Sequence, residues 1–346
     1  MQKLPMKLLI IKTSSLGDVI HCLPIIHDIR AHFANNQIDV QIDWVVEESF
    51  ADIPRMHKGV NQVFTVAMRR WKMQLFSQNT WAEIGDFKKL IQQDKDGLNL
   101  YDAIIDVQGL LKSALITRQA HGVKHGYDKD SIREPIASWF YDNTYNISYD
   151  QHAVTRNRAL VAMSLGYEIP KNAPDYGINP IIDASLSRID TGLQACTGVI
   201  LSRGDYIIAL HGTSRDSKLW PIENWLDLGR ELAKQNLNLA LPWASEAELT
   251  RAKQIASQLK NTIVLPKLSI AQIANVISNA QAAIGVDTGL SHLAAALNIP
   301  TIGIYTDTNP ALTGVMGGAF KAAINLGNIA KTPSVNDVLK SLKQIL

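Results

Sequence analysis

Short apolar runs alternate along this chain with longer segments in which apolar residues recur every three or four positions. The short runs are typical of buried β-strands, and the longer segments of amphipathic α-helices. In the first half we predict strands at residues 7–11, 42–46, 63–66 and 103–106, and helices at 23–33, 82–92, 110–120 and 153–164. This alternation indicates βα units on a parallel sheet rather than a β-sandwich.

The pattern breaks at residues 166–180, where three prolines interrupt a stretch without an apolar period. Such a stretch is typical of a crossing between domains. The alternation then restarts, with strands predicted at 206–210, 237–241, 262–265, 282–286 and 301–305. We therefore predict an α/β protein with two Rossmann-like, doubly wound lobes that face a central cleft. The lobes span residues 1–175 and 176–333, and an amphipathic helix at 334–346 is expected to pack back near the first lobe.

Composition narrows the class of protein. A length of 346 residues suits two domains of roughly 150 residues each. The formal net charge of +2 provides no general attraction to nucleic acid, so we expect no such partner. Neither a signal peptide nor an apolar run of about 20 residues is apparent. Cys22 and Cys196 lie far apart in the sequence, which fits a reducing, cytoplasmic setting.

The first candidate site follows the first predicted strand and reads KTSSLGD, from Lys12 to Asp18. Gly17 permits a tight turn, which would present the Asp18 carboxylate at the carboxyl edge of the sheet, where doubly wound folds bind ligands. A general base belongs at such a position. Taken alone, however, the motif more often marks a carboxylate that caps the following helix.

A second candidate site reads HGTSRDSKLWP and follows the first strand of the second lobe. Thr213, Ser214 and the backbone N–H groups of this loop can hold phosphate oxygens, and Lys218 supplies a positive charge. The alternative is an ordinary polar turn. The loop does not match the phosphate-binding pattern GxxxxGK[ST], which disfavours a kinase or ATPase.

A third candidate site, GVDTGLSHL, spans another change from strand to helix. The start of a helix places backbone donors and a partial positive charge where a diphosphate can bind. Asp287 is expected to orient this turn. His292 lies one turn into the helix and could face the ligand, although a histidine packed between helix and sheet is the more common case.

Two other classes of site are disfavoured. The chain contains no GxGxxG, so a nicotinamide or flavin dehydrogenase would lack its usual phosphate-binding turn. Two D-x-D triplets, at residues 94–96 and 128–130, have a central lysine and lie in charged, loop-like sequence. We interpret both triplets as solvated turns, and we predict neither a metal ion nor a cofactor.

With these motifs, the chain resembles the lipopolysaccharide heptosyltransferases, which have the two-lobed GT-B fold. The resemblance covers nearly the whole chain and rests on nine ordered segments: KTSSLGDVIHCLP, DWVVEESFADIP, VAMRRWK, DVQGLLKSAL, HGVKHG, REPIASWFY, RDSKLWP, LPWASEAE and VDTGLSHL. Within that family, the residues KTSS before Gly-Asp resemble those of the enzymes that add the first heptose, and differ from those of the enzymes that add the second.

The resemblance implies transfer of L-glycero-D-manno-heptose from ADP-heptose to the first Kdo of Kdo-lipid A, with inversion at the anomeric carbon. Asp18 would be the base, and Lys218 would stabilise the departing diphosphate without metal. A related transferase acting on a later core acceptor stays open, as does a non-enzymatic two-lobed binding protein. The lipid acceptor implies peripheral contact with the cytoplasmic face of the inner membrane.

The resemblance also divides the site residues between the lobes. The second lobe would bind the donor through Thr213, Ser214, Lys218, Glu248, Asp287, Thr288, Gly289 and His292. The first lobe would bind the anionic acceptor through Lys12, Ser15, Gly17, Arg69, Arg70, Lys72, Lys112 and Arg133. Residues 305–310 read YTDTNP where related enzymes often have a glycine-proline turn, so no ligand role is assigned to them.

Overall fold

The computed structural model describes residues 5–94, 97–98, 100–179, 203–318 and 322–346. Two compact units divide the chain, Met1–Gly177 and Ile178–Leu346. Each unit contains its own six-stranded sheet. Among the described residues, no helix combines the length and the apolar character needed to span a bilayer.

The first unit is built on a sheet in which every strand pair is parallel. Its strands are β1 (Met6–Ile11), β2 (Val40–Glu47), β3 (Gln62–Val66), β6 (Leu100–Asp106), β7 (His121–Tyr127) and β8 (Asn143–Tyr145). They lie in the order β3-β2-β1-β6-β7-β8. A separate short hairpin pairs β4 (Gln93–Asp94) with β5 (Gly97–Leu98).

Helices and short helical turns connect these strands. They are α1 (Leu16–Cys22), α2 (Pro24–Asn35), α3 (Asp52–Arg55), α4 (Met68–Met73), α5 (Gln78–Gln92), α6 (Leu111–Thr117) and α7 (Ala153–Leu165). Pro24 occupies the first turn of α2, where a missing N–H costs no helical hydrogen bond. On one side of the sheet, Leu9, Ile11 and Val45 pack with Phe87 and Ile91 of α5 to form an apolar core.

The second unit repeats the same strand order, and its paired strands are also parallel. Its strands are β9 (Tyr206–Leu210), β10 (Asn238–Leu241), β11 (Thr262–Val264), β12 (Ala282–Val286), β13 (Thr301–Tyr305) and β14 (Ala323–Gly327). They lie in the order β11-β10-β9-β12-β13-β14. In both units, the order reverses between the first and the fourth strand of the sheet, which is the switch point where doubly wound sheets bind ligands.

The helices of the second unit cover a large apolar core. They are α8 (Ile222–Ala233), α9 (Glu246–Ala256), α10 (Ile270–Asn279), α11 (Gly289–Ala296), α12 (Pro310–Thr313) and α13 (Val335–Ile345). Trp220 and Trp225 are fully buried there, with their rings edge to face at a centroid distance of 5.1 Å. Val338 and Leu342 of α13 belong to this core. The terminal helix thus packs on the second sheet, whereas its expected position near the first lobe stays a prediction.

The predicted fold class of two doubly wound α/β units is confirmed, and all nine predicted strands are present. Five described strands were not predicted: the short hairpin strands β4 and β5, and β7, β8 and β14 of the two large sheets. The sequence of β7, HGVKHGY, contains two glycines and two histidines and therefore has no apolar run. Helix α1 was also missed, because the residues of its first turn were interpreted as a loop.

Candidate active site

The switch point of the first sheet lies between β1 and β6, and the loop after β1 carries Asp18. Both the backbone N–H and the hydroxyl of Ser15 donate to Asp18 Oδ2, each at 2.8 Å. Asp18 therefore caps α1 from its third position, as the structural alternative anticipated. Both hydrogen bonds end on Oδ2, and among the described residues none donates to Oδ1. Asp18 can therefore cap the helix through one oxygen while the other oxygen stays accessible to a ligand.

The expected role of Gly17 as the residue of a tight turn is wrong. Gly17 is the second residue of α1 and has helical backbone geometry. It lies in the first turn of the helix, beside the carboxylate that caps it. The short, glycine-containing first turn is nevertheless located at the carboxyl end of β1, where the prediction placed it.

Two predicted acceptor lysines lie at this switch point, and both are engaged within the unit. Lys12 is buried, and its Nζ donates to the Val107 carbonyl oxygen at 3.1 Å. Lys112 at the start of α6 donates to Ser14 Oγ at 3.0 Å. Lys12 thus links the loops that follow β1 and β6 instead of projecting into solvent, whereas Lys112 is only partly buried and lies beside the Asp18 loop.

Gln108 was not among the predicted site residues, yet its side chain organises this loop. Its Oε1 accepts the backbone N–H groups of Thr13 and Ser14, each at 3.1 Å. Gln108 is itself positioned by Asp106, whose Oδ1 accepts the N–H groups of Gln108 and Gly109 at 2.9 and 3.1 Å. The signal available in the sequence was its position directly after a predicted strand, within the segment DVQGLLKSAL.

The turn after β6 depends on the backbone freedom of Gly109 and on the hydrogen bonds of the Asp106 carboxylate. Gly109 has φ +67°, and a Cβ there would lie 2.7 Å from the Ile132 side chain. Only glycine fits this combination of backbone conformation and close packing. Burial raises the pKa of Asp106, against the opposing effect of the hydrogen bond that Tyr141 donates to its Oδ2 at 2.7 Å. The hydrogen bonds from Gln108, Gly109 and Tyr141 make Asp106 a structural group of this turn.

The three predicted cations of α4 differ in their surroundings. Arg69 and Lys72 are exposed, and the Arg69 guanidinium lies 5.7 Å from the centre of the Phe50 ring. Arg70 instead binds Glu48 at 3.0 Å and Glu83 at 2.8 Å. Arg70 is therefore engaged within the unit, although we predicted that it faces the acceptor.

Arg133 is exposed in the segment after β7. It lies two residues before the short 3₁₀ helix Pro135–Phe140. This segment, like the loop after β1, follows a strand at the carboxyl edge of the first sheet. A role for Arg133 in acceptor binding stays a prediction.

At the switch point of the second sheet, Lys218 and Asp287 form an ion pair. Lys218 Nζ lies 2.6 Å from Asp287 Oδ2, and the two side chains are only 14% and 11% exposed. Asp287 Oδ2 also accepts a hydrogen bond from Thr308 Oγ1 at 2.8 Å. Lys218, predicted to supply a positive charge, is thus held beside the start of α11 by a carboxylate.

Three loops meet around this ion pair. Thr213 Oγ1 donates to the Asp287 carbonyl oxygen at 2.9 Å. Ser217 Oγ donates to Asp307 Oδ2 at 2.6 Å, and Thr306 Oγ1 donates to the Ser217 carbonyl oxygen at 2.7 Å. Residues 306–308, which received no role from the sequence, therefore brace the loop that carries Lys218. Ser214 is exposed in that same loop.

The start of α11 has the geometry expected of an anion site. Thr288 is its N-cap and Gly289 its first residue, and neither is fully buried. Ser291 Oγ donates to the Val286 carbonyl oxygen at 2.8 Å, and a Cβ on Gly285 would lie 2.2 Å from that hydroxyl. Gly285 therefore allows the helix to start close to β12. His292 is buried in this helix, as in the more common alternative.

Glu248 lies close to the same loop from the start of α9. Its Oε2 accepts the backbone N–H groups of Ala244 at 2.7 Å and Ser245 at 3.1 Å, so Glu248 is a capping residue. A Cβ on Gly212 would lie 2.7 Å from Glu248 Oε1, which shows how closely the carboxylate approaches the loop after β9. A role for Glu248 in binding the donor stays a prediction.

The described D-x-D triplet is a turn. Asp128 accepts the backbone N–H of Asp130 at 3.1 Å and the Asn146 side-chain amide at 2.7 Å. Of the other triplet, Asp94 lies in β4, and Asp96 is outside the described residues. Across the described part of the chain, no cluster of three or more His, Cys, Asp or Glu side chains could hold a metal ion.

Comparison with known proteins identifies the family. The model of glycosyltransferase family 9 (heptosyltransferase) matches residues 95–343. This chain belongs to glycosyltransferase family 9. The predicted class of enzyme is therefore confirmed, and a non-enzymatic binding protein is excluded.

Two kinds of relative place the chain within family 9. Lipopolysaccharide heptosyltransferase 1 of Escherichia coli K12 is 43% identical over 313 residues, which cover 90% of this chain and 91% of the relative. The structure of E. coli heptosyltransferase WaaC with ADP has a TM-score of 0.83 at 41% identity and covers 98% of this chain and 99% of its own. WaaC with ADP-2-deoxy-2-fluoro heptose has a TM-score of 0.80 at 39% identity, with the same coverage. The predicted GT-B-type fold and the resemblance to heptosyltransferases are confirmed.

Proposed function

We propose that this family 9 enzyme transfers L-glycero-D-manno-heptose from ADP-heptose to the first Kdo of Kdo-lipid A during synthesis of the lipopolysaccharide inner core. The observation that carries the proposal is the chemistry at the two switch points. One presents a carboxylate with a free oxygen, and the other presents a lysine beside a helix start. These are the groups that a transfer between a sugar hydroxyl and a diphosphate-linked sugar requires.

In this proposal the first unit binds the acceptor, and Asp18 is the general base. Oδ1 of Asp18 takes the proton from the acceptor hydroxyl as the hydroxyl oxygen attacks the anomeric carbon of the donor. The bond from that carbon to the diphosphate oxygen breaks on the opposite face, which inverts the configuration. Ser15 holds the carboxylate through Oδ2, and Gln108 holds the loop that carries it.

The second unit binds the ADP-sugar and stabilises the leaving diphosphate. Lys218 and the backbone N–H groups at Thr288 and Gly289 offer positive charge and donors where negative charge develops. The ion pair with Asp287 orients the Lys218 ammonium, which has two further N–H donors for phosphate oxygens. Support for this donor comes from the E. coli relative, which was solved with ADP and with an ADP-heptose analogue.

An acceptor rich in carboxylates and phosphates requires cations in the first unit. Arg69, Lys72, Lys112 and Arg133 have exposed or partly exposed side chains that can supply them. Arg70 supports the same surface through its two glutamates. Since the acceptor is a lipid, we place the enzyme at the cytoplasmic face of the inner membrane, in peripheral contact with it.

The proposal is tested by supplying the purified protein with ADP-heptose and either Kdo-lipid A or the same acceptor already carrying the first heptose. We expect ADP release and a heptosylated product with Kdo-lipid A only. Transfer to the heptosylated acceptor instead would assign the enzyme to the next step of core assembly. No transfer to either acceptor would contradict the proposal.

A further inference from the structure

Large apolar side chains project into solvent from the end of α4, the start of α5 and the connection between these two helices. Met73 is 87% exposed, Trp81 is 61% exposed and Phe76 is fully exposed, with Leu75 half-exposed between them. We refer to these four side chains as the apolar turn. Single exposed apolar residues are ordinary on protein surfaces, but several together in one short segment indicate an interaction site.

Specific hydrogen bonds hold the apolar turn in this exposed arrangement. Glu83 of α5 binds the Trp71 indole N–H at 2.7 Å and the Arg70 guanidinium at 2.8 Å, which ties α4 to α5. Trp81 Nε1 donates to the Leu75 carbonyl oxygen at 2.9 Å, across the tip of the connection. The backbone between the two helices is therefore fixed at its base and at its tip, while its apolar side chains point outward.

The apolar turn lies at the same edge of the first sheet as the proposed catalytic base. Helix α4 follows β3, and β3 is two strands away from β1. At about 4.8 Å per strand, this places the end of β3 about 10 Å from the end of β1. On the other side, β7 is also two strands from β1 and leads to a segment in which Trp139 is 80% exposed and Ile136 is exposed. Exposed apolar residues thus flank the loop of Asp18.

The charges around the apolar turn favour an anionic partner. Arg69 and Lys72 are exposed on α4, and Arg133 is exposed six residues before Trp139 in the sequence. Three acidic residues contact α4. Glu48 and Glu83 are paired with Arg70, and the buried Glu47 accepts the backbone N–H groups of Met68 and Arg69. Exposed apolar residues with tryptophan at their border and exposed cations beside them are the features that bind anionic lipid surfaces.

We propose that the carboxyl edge of the first sheet docks on an anionic lipid bilayer through the apolar turn and Trp139. Met73, Leu75 and Phe76 enter the acyl region, and the two tryptophans lie at the level of the headgroups. This inference rests on the proposed function, because it explains how a loop that carries the base reaches a sugar on a membrane-anchored lipid. The alternative occupant is a second copy of this chain.

Vesicle sedimentation of the full-length protein tests the docking surface directly. The probes are vesicles of phosphatidylethanolamine with phosphatidylglycerol, and vesicles of phosphatidylcholine alone. We expect binding to the anionic vesicles, and a loss of about tenfold or more in the double variant Met73→Ser/Phe76→Ser. Ile329→Ser, which changes a side chain 63% exposed in the second unit, is the matched control and should bind like the parent. Unchanged binding of the double variant would overturn the proposal.

Activity with two acceptors separates this proposal from the proposed function. The double variant should retain parental turnover with a deacylated, water-soluble Kdo acceptor and lose about tenfold with Kdo-lipid A in vesicles. Failure of the parent protein with both acceptors would contradict the proposed function, whereas sedimentation would still decide the docking. Concentration-dependent dimers that disappear in the double variant, with vesicle binding unchanged, would assign the apolar turn to self-association and overturn the proposal.

Discussion

The loops after β1 and β9 occupy the same position in two sheets of the same strand order, but they hold charge differently. In the first unit, Asp18 is bound by neutral donors of Ser15, while Lys12 donates to a backbone carbonyl. In the second unit, Lys218 and Asp287 are bound directly to each other. The first loop therefore presents a carboxylate oxygen, and the second presents an oriented ammonium group.

This difference shows that the topology sets where chemistry occurs, whereas side-chain partners set which chemistry it is. A parallel sheet with this order brings the loops after its two central strands together in either unit. Whether those loops can accept a proton or stabilise an anion depends on which charges are already paired. The following predictions separate the two units on this basis.

The largest effect is expected for Asp18→Asn. The amide keeps an oxygen that can accept from Ser15 but cannot take a proton from the acceptor, so kcat should fall by about 10²–10⁴-fold. Steady-state ADP release at saturating substrates measures this change, and ADP affinity should stay at the parental value. Ser15→Ala keeps the carboxylate and removes one of its two donors, so its kcat should change little. Equal kcat in parent and Asp18→Asn would exclude Asp18 as the base.

Lys218→Met, unlike Asp18→Asn, should weaken the binding of ADP. Losing a charge-assisted hydrogen bond to the diphosphate should weaken ADP binding by about 10–100-fold, measured by titration calorimetry. Lys234→Met is the matched control, since Lys234 is also paired with a carboxylate, Glu231, but on the surface of the second unit. If Asp18→Asn and Lys218→Met weakened ADP binding equally, the division of roles between the units would be wrong.

Acid should affect the two units alike. Burial lowers the pKa of His57 in the first unit and of His211 in the second from 6.5 to about 4. Between these values the unfolded chain binds more protons than the folded chain, so stability is full above pH 6.5 and declines as the pH falls towards 4. Between pH 6.5 and about pH 5, each histidine should lower the free energy of unfolding by about 2 kcal/mol.

Denaturant unfolding of the parent, His57→Gln and His211→Gln over this pH range measures the effect. Each variant should show a smaller loss of unfolding free energy on acidification than the parent. His57 Nδ1 accepts the Gly59 N–H at 2.9 Å, which agrees with a neutral ring in the folded state. If the free energy of unfolding of both variants fell with pH as steeply as that of the parent, other groups would be the cause of the acid sensitivity.

The smallest effect is expected for Gln108→Ala. This change removes the oxygen that accepts from Thr13 and Ser14, which should loosen the loop of Asp18 and lower kcat by about tenfold. Gln108→Glu keeps an accepting oxygen and should retain more activity than the alanine variant. Gln119→Ala, on the surface of the same unit, should leave kcat unchanged. A selective loss of ADP affinity in Gln108→Ala would contradict its assignment to the first unit's chemistry.

The predicted and the missed strands differ in their burial. The strands predicted from apolar runs include β1, β9 and β12, which are central and mostly or fully buried. The missed strands β8 and β14 lie at sheet edges and expose most of their length at least in part. An edge strand has no need of a continuous apolar run, because one side of it has no neighbour. Local pattern therefore detects the strands that carry an apolar run, which include the edge strands β3 and β11, and misses the exposed strands β8 and β14 at the opposite edges.

The sequence alone determined the fold class, the two units and the three loops that follow central strands, because burial requires apolar runs and ligand loops follow them. Only the tertiary structure decided the partners of the charged residues. Asp287 pairs with Lys218 across 69 positions, and the Val107 carbonyl meets Lys12 across 95. Contacts at such separations depend on strand order and register, which no local pattern encodes. For that reason Gln108, the engagement of Arg70 and the Lys218 ion pair were visible only in the folded chain.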